Sequence, residues 1–314
     1  MMEHRIGDSD AGRFVQGQHQ RLQTLDLLRG LTLVSMILYH GMWDFIYMSS
    51  TGVGMESLRT WYEGSGGHLW QQSICRTFIL LSGFCVPFSR RIFRRGLQVS
   101  GCGLIVSAVT LLFMYEDRII FGVLTFLGAA MLLSGVLDRA FAVNTFAGNT
   151  FAGIESPESE SALGKEENLS DKSKAKRWRY AVGLAVCLIL FYMTRWINKG
   201  EFRLFPGISM PFPAFLYQFD LEGSGPGAVV GYILTAAGFT CRNFFSTDYF
   251  SLIPWWFLFR AGVCLNRLLQ AAGNAFDHPA FHLELPVLNL MGRHSLLIYM
   301  LHQPVLYVLV SLLF

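Results

Sequence analysis

Charge is scarce in this chain. Only 15% of its 314 residues are Asp, Glu, Lys or Arg, against about a quarter in soluble domains. The formal net charge is just +3, so nothing points to a nucleic-acid partner. Paired cysteines are missing too. Cys75, Cys85, Cys102, Cys187, Cys241 and Cys264 form no C-x-x-C unit, and nearly all fall in apolar runs. There a cysteine behaves as a small hydrophobe, so neither a disulfide framework nor a metal site is expected. H-E-x-x-H and phosphate-loop motifs are absent. Gly101-Cys-Gly103 is no dinucleotide fingerprint; inside an apolar run it is expected to let helices approach. Met1 to Gln23 is polar and lacks the apolar stretch of a signal peptide.

What is present is apolar sequence, 52% of the chain, in long runs. Several approach the roughly 20 residues that cross a bilayer, and they are too continuous for barrel strands. The expectation is an all-α, polytopic integral membrane protein with about eight transmembrane helices. The spans expected are Leu27–Met48, Leu69–Phe88, Leu97–Tyr115, Ile119–Leu137, Tyr180–Ile197, Gly225–Thr240, Phe250–Leu269 and Ser295–Phe314. The sixth is short and Gly-rich, and a half-span or a surface helix is its alternative reading. Arg90, Arg91, Arg94 and Arg95 crowd one link and Lys172 to Arg179 another, which places both on the cytoplasmic side of a cell membrane. Residues 1–25 then read as a cytoplasmic tail and 26–314 as the membrane domain. Within that domain, 142–178 reads as a disordered cytoplasmic insert, because its Ser, Glu and Lys cannot bury a core. The aromatic stretch Asn198–Gly223 is expected on the outer side, as a binding loop or a segment lying on the interface.

Ionisable residues inside such runs are expensive and usually mark function or a partner. Arg29, His40 and Asp44 fall on one helix face, with about 16 Å between the first two. A neutral His40 could act as general base, with Asp44 holding its tautomer; packing through an interhelical hydrogen bond is the alternative. Arg29 suits either a phosphate contact or an anchor at the cytoplasmic helix end, and Asp26 could pair with it. Ser295, Tyr299 and His302 share a face in the last run, followed by Gln303 and Pro304. His302 could face the cavity of His40 or serve structure alone. His68 is a reserve base. Arg76 and Arg260 each need an anion, either a protein carboxylate or a bound phosphate.

These residues resemble a known family. Arg29, ten residues, then His40 is similar to the signature of the transmembrane acyltransferase superfamily, which includes the acyltransferase-3 proteins. Leu25-Asp26-Leu-Leu-Arg29-Gly30, Tyr39-His40-Gly-Met-Trp-Asp44, Phe78-Ile-Leu-Leu-Ser82-Gly83-Phe84 and Ile120-Phe121-Gly122 point to one branch. So do Ser246-Thr-Asp248-Tyr249-Phe with Pro254-Trp255, and Gly292-Arg-His-Ser295 through Tyr299, His302 and Pro304. That branch holds the heparan-alpha-glucosaminide N-acetyltransferase catalytic domain. The resemblance implies an acyltransferase that takes an acyl group, usually acetyl, from cytoplasmic acyl-CoA such as acetyl-CoA. It implies delivery to a sugar or glycan acceptor across the membrane, by O- or N-transfer and without a metal. By position, His40 is the base, and Arg29 belongs to the CoA side or fixes the helix. A histidine between the first two spans serves the lysosomal member, which keeps His68 in view. Where bacterial relatives carry a His after Phe-Gly-Ile-Leu, this chain has Thr125.

Besides acyl-CoA and the acceptor, membrane lipid is an expected partner, and homo-oligomerisation is left open. The rival from another class is a non-enzymatic transporter or flippase for a small anion or a lipid-linked group; the lack of an internal repeat counts against it. The orientation is testable. A cysteine placed at Ser159 should resist impermeant thiol reagents in intact cells, and labelling from outside would overturn the inside insert.

Overall fold

The fold comes from a computed structural model that describes residues 22–48, 55–152, 162–205, 207–221 and 225–313. Ten α-helices carry it: α1 Gln23–Met48, α2 Glu56–Glu63, α3 Ser65–Phe84, α4 Ile92–Phe113, α5 Val123–Ala152, α6 Ala162–Thr194, α7 Pro226–Ala237, α8 Leu252–Ala271, α9 Pro286–Arg293 and α10 Ser295–Leu313. Among the described residues, four segments are long and apolar enough to cross a membrane: Ile92–Phe113, Val123–Ala140, Ser173–Lys199 and Ser295–Leu313. Helices α1, α3 and α8 have 26, 20 and 20 residues. They carry most of the polar groups discussed below.

Three features bear on the sequence expectation. The segment expected as a sixth span is the 12-residue α7, which opens on Pro226 and stops at Gly238, where φ is 130°. Its C-terminal end folds back: Tyr249 donates to Thr235 O, and Arg242 N donates to Phe219 O. Next, α1 and α10 run in the same direction. Leu33 and Met36 pack on Ile298 and Tyr299, and further along Asp44 meets Gln303. Eight antiparallel crossings would not place them so. Finally, helix is described on either side of residues 153–161: α5 continues to Ala152 and α6 starts at Ala162. Ala, Leu, Glu and Lys in those stretches are good helix formers. Residues 153–161 and the tail up to residue 21 lie outside the described residues.

The aromatic stretch after α6 contains a two-stranded antiparallel hairpin, β1 Glu201–Phe205 and β2 Ile208–Pro211. Glu201 lies opposite Pro211, and the register shifts between Arg203 and Phe205.

The main core joins α3, α5 and α8 through Ile79, Val123, Phe126, Leu127, Ala130, Leu258, Phe259 and Val263. Backbones touch where α3 meets α8. A Cβ on Gly83 would lie 1.9 Å from Phe259 O, and one on Gly262 would lie 2.2 Å from Leu80 O. Asn266 donates to Phe84 O at 2.8 Å in the same seam. The expected helix approach at Gly101 and Gly103 divides. Gly103 faces Thr125 N, 2.6 Å from a built Cβ, while Gly101 has nothing within 4 Å.

This contrast sets a test. Gly262→Val must push two helices apart, and overpacking of this kind costs about 1–3 kcal/mol or more. Gly101→Val should leave stability nearly unchanged. Thermal unfolding of the detergent-purified protein reads both; equal losses would refute the packing.

Candidate functional site

Four polar side chains meet between α1 and α10. The rings of His40 and His302 lie 5.1 Å apart between centroids. They meet because both histidines occupy facing positions on the two parallel helices. His302 Nδ1 lies 2.6 Å from Tyr299 O. A carbonyl only accepts, so Nδ1 carries the proton and Nε2 keeps its lone pair. That Nε2 is buried and has no hydrogen-bond partner. His40 makes ring contacts with His302 and Tyr39 but no side-chain hydrogen bond to the described residues.

Asp44 does not meet His40 through any hydrogen bond. Its carboxylate, 1% exposed, accepts from Gln303 Nε2 at 3.2 Å and 3.5 Å. The amide is thereby oriented, and Gln303 Oε1 is left buried without a partner. Two unpaired acceptors, His302 Nε2 and Gln303 Oε1, therefore belong to adjacent residues of α10. An unmade hydrogen bond in a dry interior costs about 1–3 kcal/mol per group. Such groups suit a partner bearing O–H or N–H.

Aromatic rings wall this centre. Tyr39 stacks on Tyr62 at 4.7 Å and meets Trp70 edge-on at 5.3 Å. Trp70 Nε1 donates to Ser35 Oγ at 2.8 Å, which locks α3 to α1. His40 sits about 25 Å along α1 from Gln23, past the middle of the helix.

The other residues singled out in the sequence lie elsewhere. Arg29 is paired with Asp26 at 3.6 Å, near the start of α1. Arg293 reaches the same carboxylate at 3.7 Å. Arg260 meets Asp138 at 3.5 Å. Among the described residues Arg76 bonds only to the Gln72 amide oxygen, at 3.3 Å, and its Nε is buried without a partner. His68 is exposed in the first turn of α3, with no ring contact among the described residues. Among the described residues no cluster of His, Cys, Asp and Glu could hold a metal.

Sequence reasoning passed over Gln303 as a mere neighbour of Pro304, although an amide in an apolar run deserves the same question as a histidine. It also left Asp248 without a task. Asp248 Oδ2 accepts from Val123 N at 3.1 Å, capping α5. Ser246 Oγ accepts from Ile120 N, and Phe250 N donates to Phe121 O. Phe121 is thus held at a φ of 58°, a left-handed conformation that strains a bulky residue.

These features define a class: a helical membrane protein with an imidazole pair enclosed between two of its helices. The family follows from comparison. The family model described as heparan-alpha-glucosaminide N-acetyltransferase, catalytic, matches residues 21–164 and 175–304, and the chain belongs to that family. No curated protein and no solved structure matches it.

Burial pushes the Asp248 carboxyl up to about 6, against a smaller opposing effect of the Val123 hydrogen bond. Its folded pKa exceeds its unfolded value of 3.8, so its proton favours the folded state. The contribution is complete below pH 3.8 and is lost as pH rises through about 6. Asp248→Asn keeps an acceptor for Val123 N and should flatten the dependence of melting temperature on pH across that window. An unchanged slope would place the titration elsewhere.

Proposed function

We propose that the protein moves an acyl group, acetyl by family kinship, from acyl-CoA to a hydroxyl or amine of a sugar or glycan acceptor. His40 acts as general base and His302 as its orienting partner. The observation that carries this reading is the His40–His302 contact with His302 Nε2 left as a bare acceptor. Tyr299 O fixes the His302 tautomer. Nε2 can then accept from one ring nitrogen of His40, which leaves the other His40 nitrogen as a lone pair. That is triad logic with imidazole in the orienting place. The acceptor's O–H or N–H bond breaks, and its proton goes to His40. The freed lone pair attacks the thioester carbonyl. The C–S bond then breaks, and the departing CoA thiolate takes the proton from His40.

The donor's phosphates have a fitting surface at the far end. A cleft of about 430 Å³ is lined by Arg90, Arg91, Arg94 and Arg95. A neighbouring one of about 510 Å³ adds Arg139 and Arg267. Guanidinium groups recognise phosphate oxygens well, and this basic end is cytoplasmic by the positive-inside rule. Arg29 and Arg260 already hold carboxylates, so they fix helices rather than bind CoA. With α1, α3, α4, α5, α6, α8 and α10 as crossings and α7 as an outer helix, α1 begins and α10 ends on opposite faces.

Detergent-purified protein with radiolabelled acetyl-CoA and glucosamine tests the proposal. Loss of a general base lowers the rate by about 100- to 10,000-fold. His40→Ala should fall in that range while still binding acetyl-CoA. His302→Ala should lose less and shift the pH profile, because it acts through His40. A dead His68→Ala beside an active His40→Ala would move the base to His68. Wild-type turnover in all three would end histidine catalysis.

A further inference from the structure

All six cysteines are free thiols, and two of them meet. Cys241 donates to Gly231 O at 3.1 Å. Cys187 of α6 and Cys264 of α8 are instead hydrogen-bonded to each other. The backbone gives an independent measure of how close they are. Gly183 lies one turn before Cys187 on the same face of α6. A Cβ built on Gly183 would stand 3.3 Å from Cys264 Sγ. The missing side chain at Gly183 is what lets the Cys264 sulfur lie against α6.

The packing aims the two thiols at one another. Cys264 lies at Gly183, and Trp255 meets Phe191 at 5.6 Å between ring centroids, so α6 and α8 run antiparallel along this seam. Side chains on a helix lean toward its N-terminus. Cys187 therefore leans toward the level of Gly183, where Cys264 stands. Cys264 leans back toward the level of Cys187.

Their position decides what can reach them. Cys187 is near the middle of Ser173–Lys199, a segment long and apolar enough to cross a membrane. Both thiols are half-buried rather than enclosed. Around Cys187 on α6, Val182, Val186 and Ile189 are 41%, 46% and 56% exposed, an apolar face that meets lipid. A charged thiol reagent such as glutathione is excluded from that depth. A reactant for this pair has to travel through the hydrocarbon. Two thiols in contact need only lose two electrons and two protons to join, and quinones accept such a pair from dithiol systems in membranes.

We propose that Cys187 and Cys264 form a redox site that a lipid-soluble quinone oxidises to a disulfide. Two S–H bonds break and one S–S bond forms. The quinone takes both electrons and both protons and leaves as its hydroquinone. The new bond ties α6 to α8 one turn from Arg260, whose partner Asp138 lines the larger basic cleft. The oxidation state of the pair thereby bears on one wall of that cleft. The site stands apart from the acyl-transfer reading and does not depend on it.

Thiol counting in the full chain tests the proposal. The reduced protein in lipid nanodiscs is exposed to a short-chain ubiquinone, whose fully substituted ring leaves no open position for thiol addition. It is then denatured and alkylated with N-ethylmaleimide. The intact mass should fall from six adducts to four, with one hydroquinone formed per chain, and dithiothreitol should restore six. Peptide mapping of the wild type should find Cys187 joined to Cys264, so the reading does not depend on any variant folding. Cys187→Ala and Cys264→Ala should each keep all five remaining thiols. Oxidised glutathione over the same time should leave six adducts on the wild type. Six adducts after ubiquinone, or a disulfide mapped to any other pair, overturns the proposal. Equal oxidation by glutathione overturns the route through lipid.

Discussion

A polar group cut off from water must find a partner inside the protein, and this requirement organises the molecule. Where the partner exists, the pair joins elements. Asn266 binds Phe84 O, Asn289 binds Gln23 O, and Asp26 gathers Arg29 and Arg293. Apolar side chains gain little from meeting each other rather than lipid, so such links and close backbone contact carry the helix packing. Where the partner is lacking, the group marks a place for something else. His302 Nε2, Gln303 Oε1 and Arg76 Nε all belong to that second set.

The same accounting explains what was legible in the sequence. Membrane character and helix content follow from composition, because apolar runs of this length have few other ways to satisfy their backbone. The costly residues could also be named, since His40, His302, Arg76 and Arg260 stand out in apolar surroundings. Their partners could not. Helical spacing places Asp44 under His40, yet Asp44 turns to Gln303, 259 positions away. Spacing fixes the face of a helix, whereas the partner depends on which helix packs there. Arg76 and Arg260 looked alike for the same reason, and only Asp138 on α5 separates them.

Topology was hidden for a different cause. A Gly-rich apolar stretch of span-like hydropathy can cross or fold back, and composition does not decide which. The ties of Tyr249 to Thr235 and of Arg242 to Phe219 hold the ends of α7, and they involve residues of no special character in sequence. The motif pairs behave alike. Gly30 lies against Leu288, and Gly292 against Asp26 O, so two ends of the sequence pattern form one contact.

The aromatic wall around the imidazole pair has an optical consequence. Trp70 stands against Tyr39, which touches His40, and Trp61 lies 6.2 Å from Trp70. An indole in such company senses the ionisation of a nearby imidazole through quenching of its emission. Trp70, one ring removed from His40, is thereby a native fluorophore beside the imidazole pair, readable without any label.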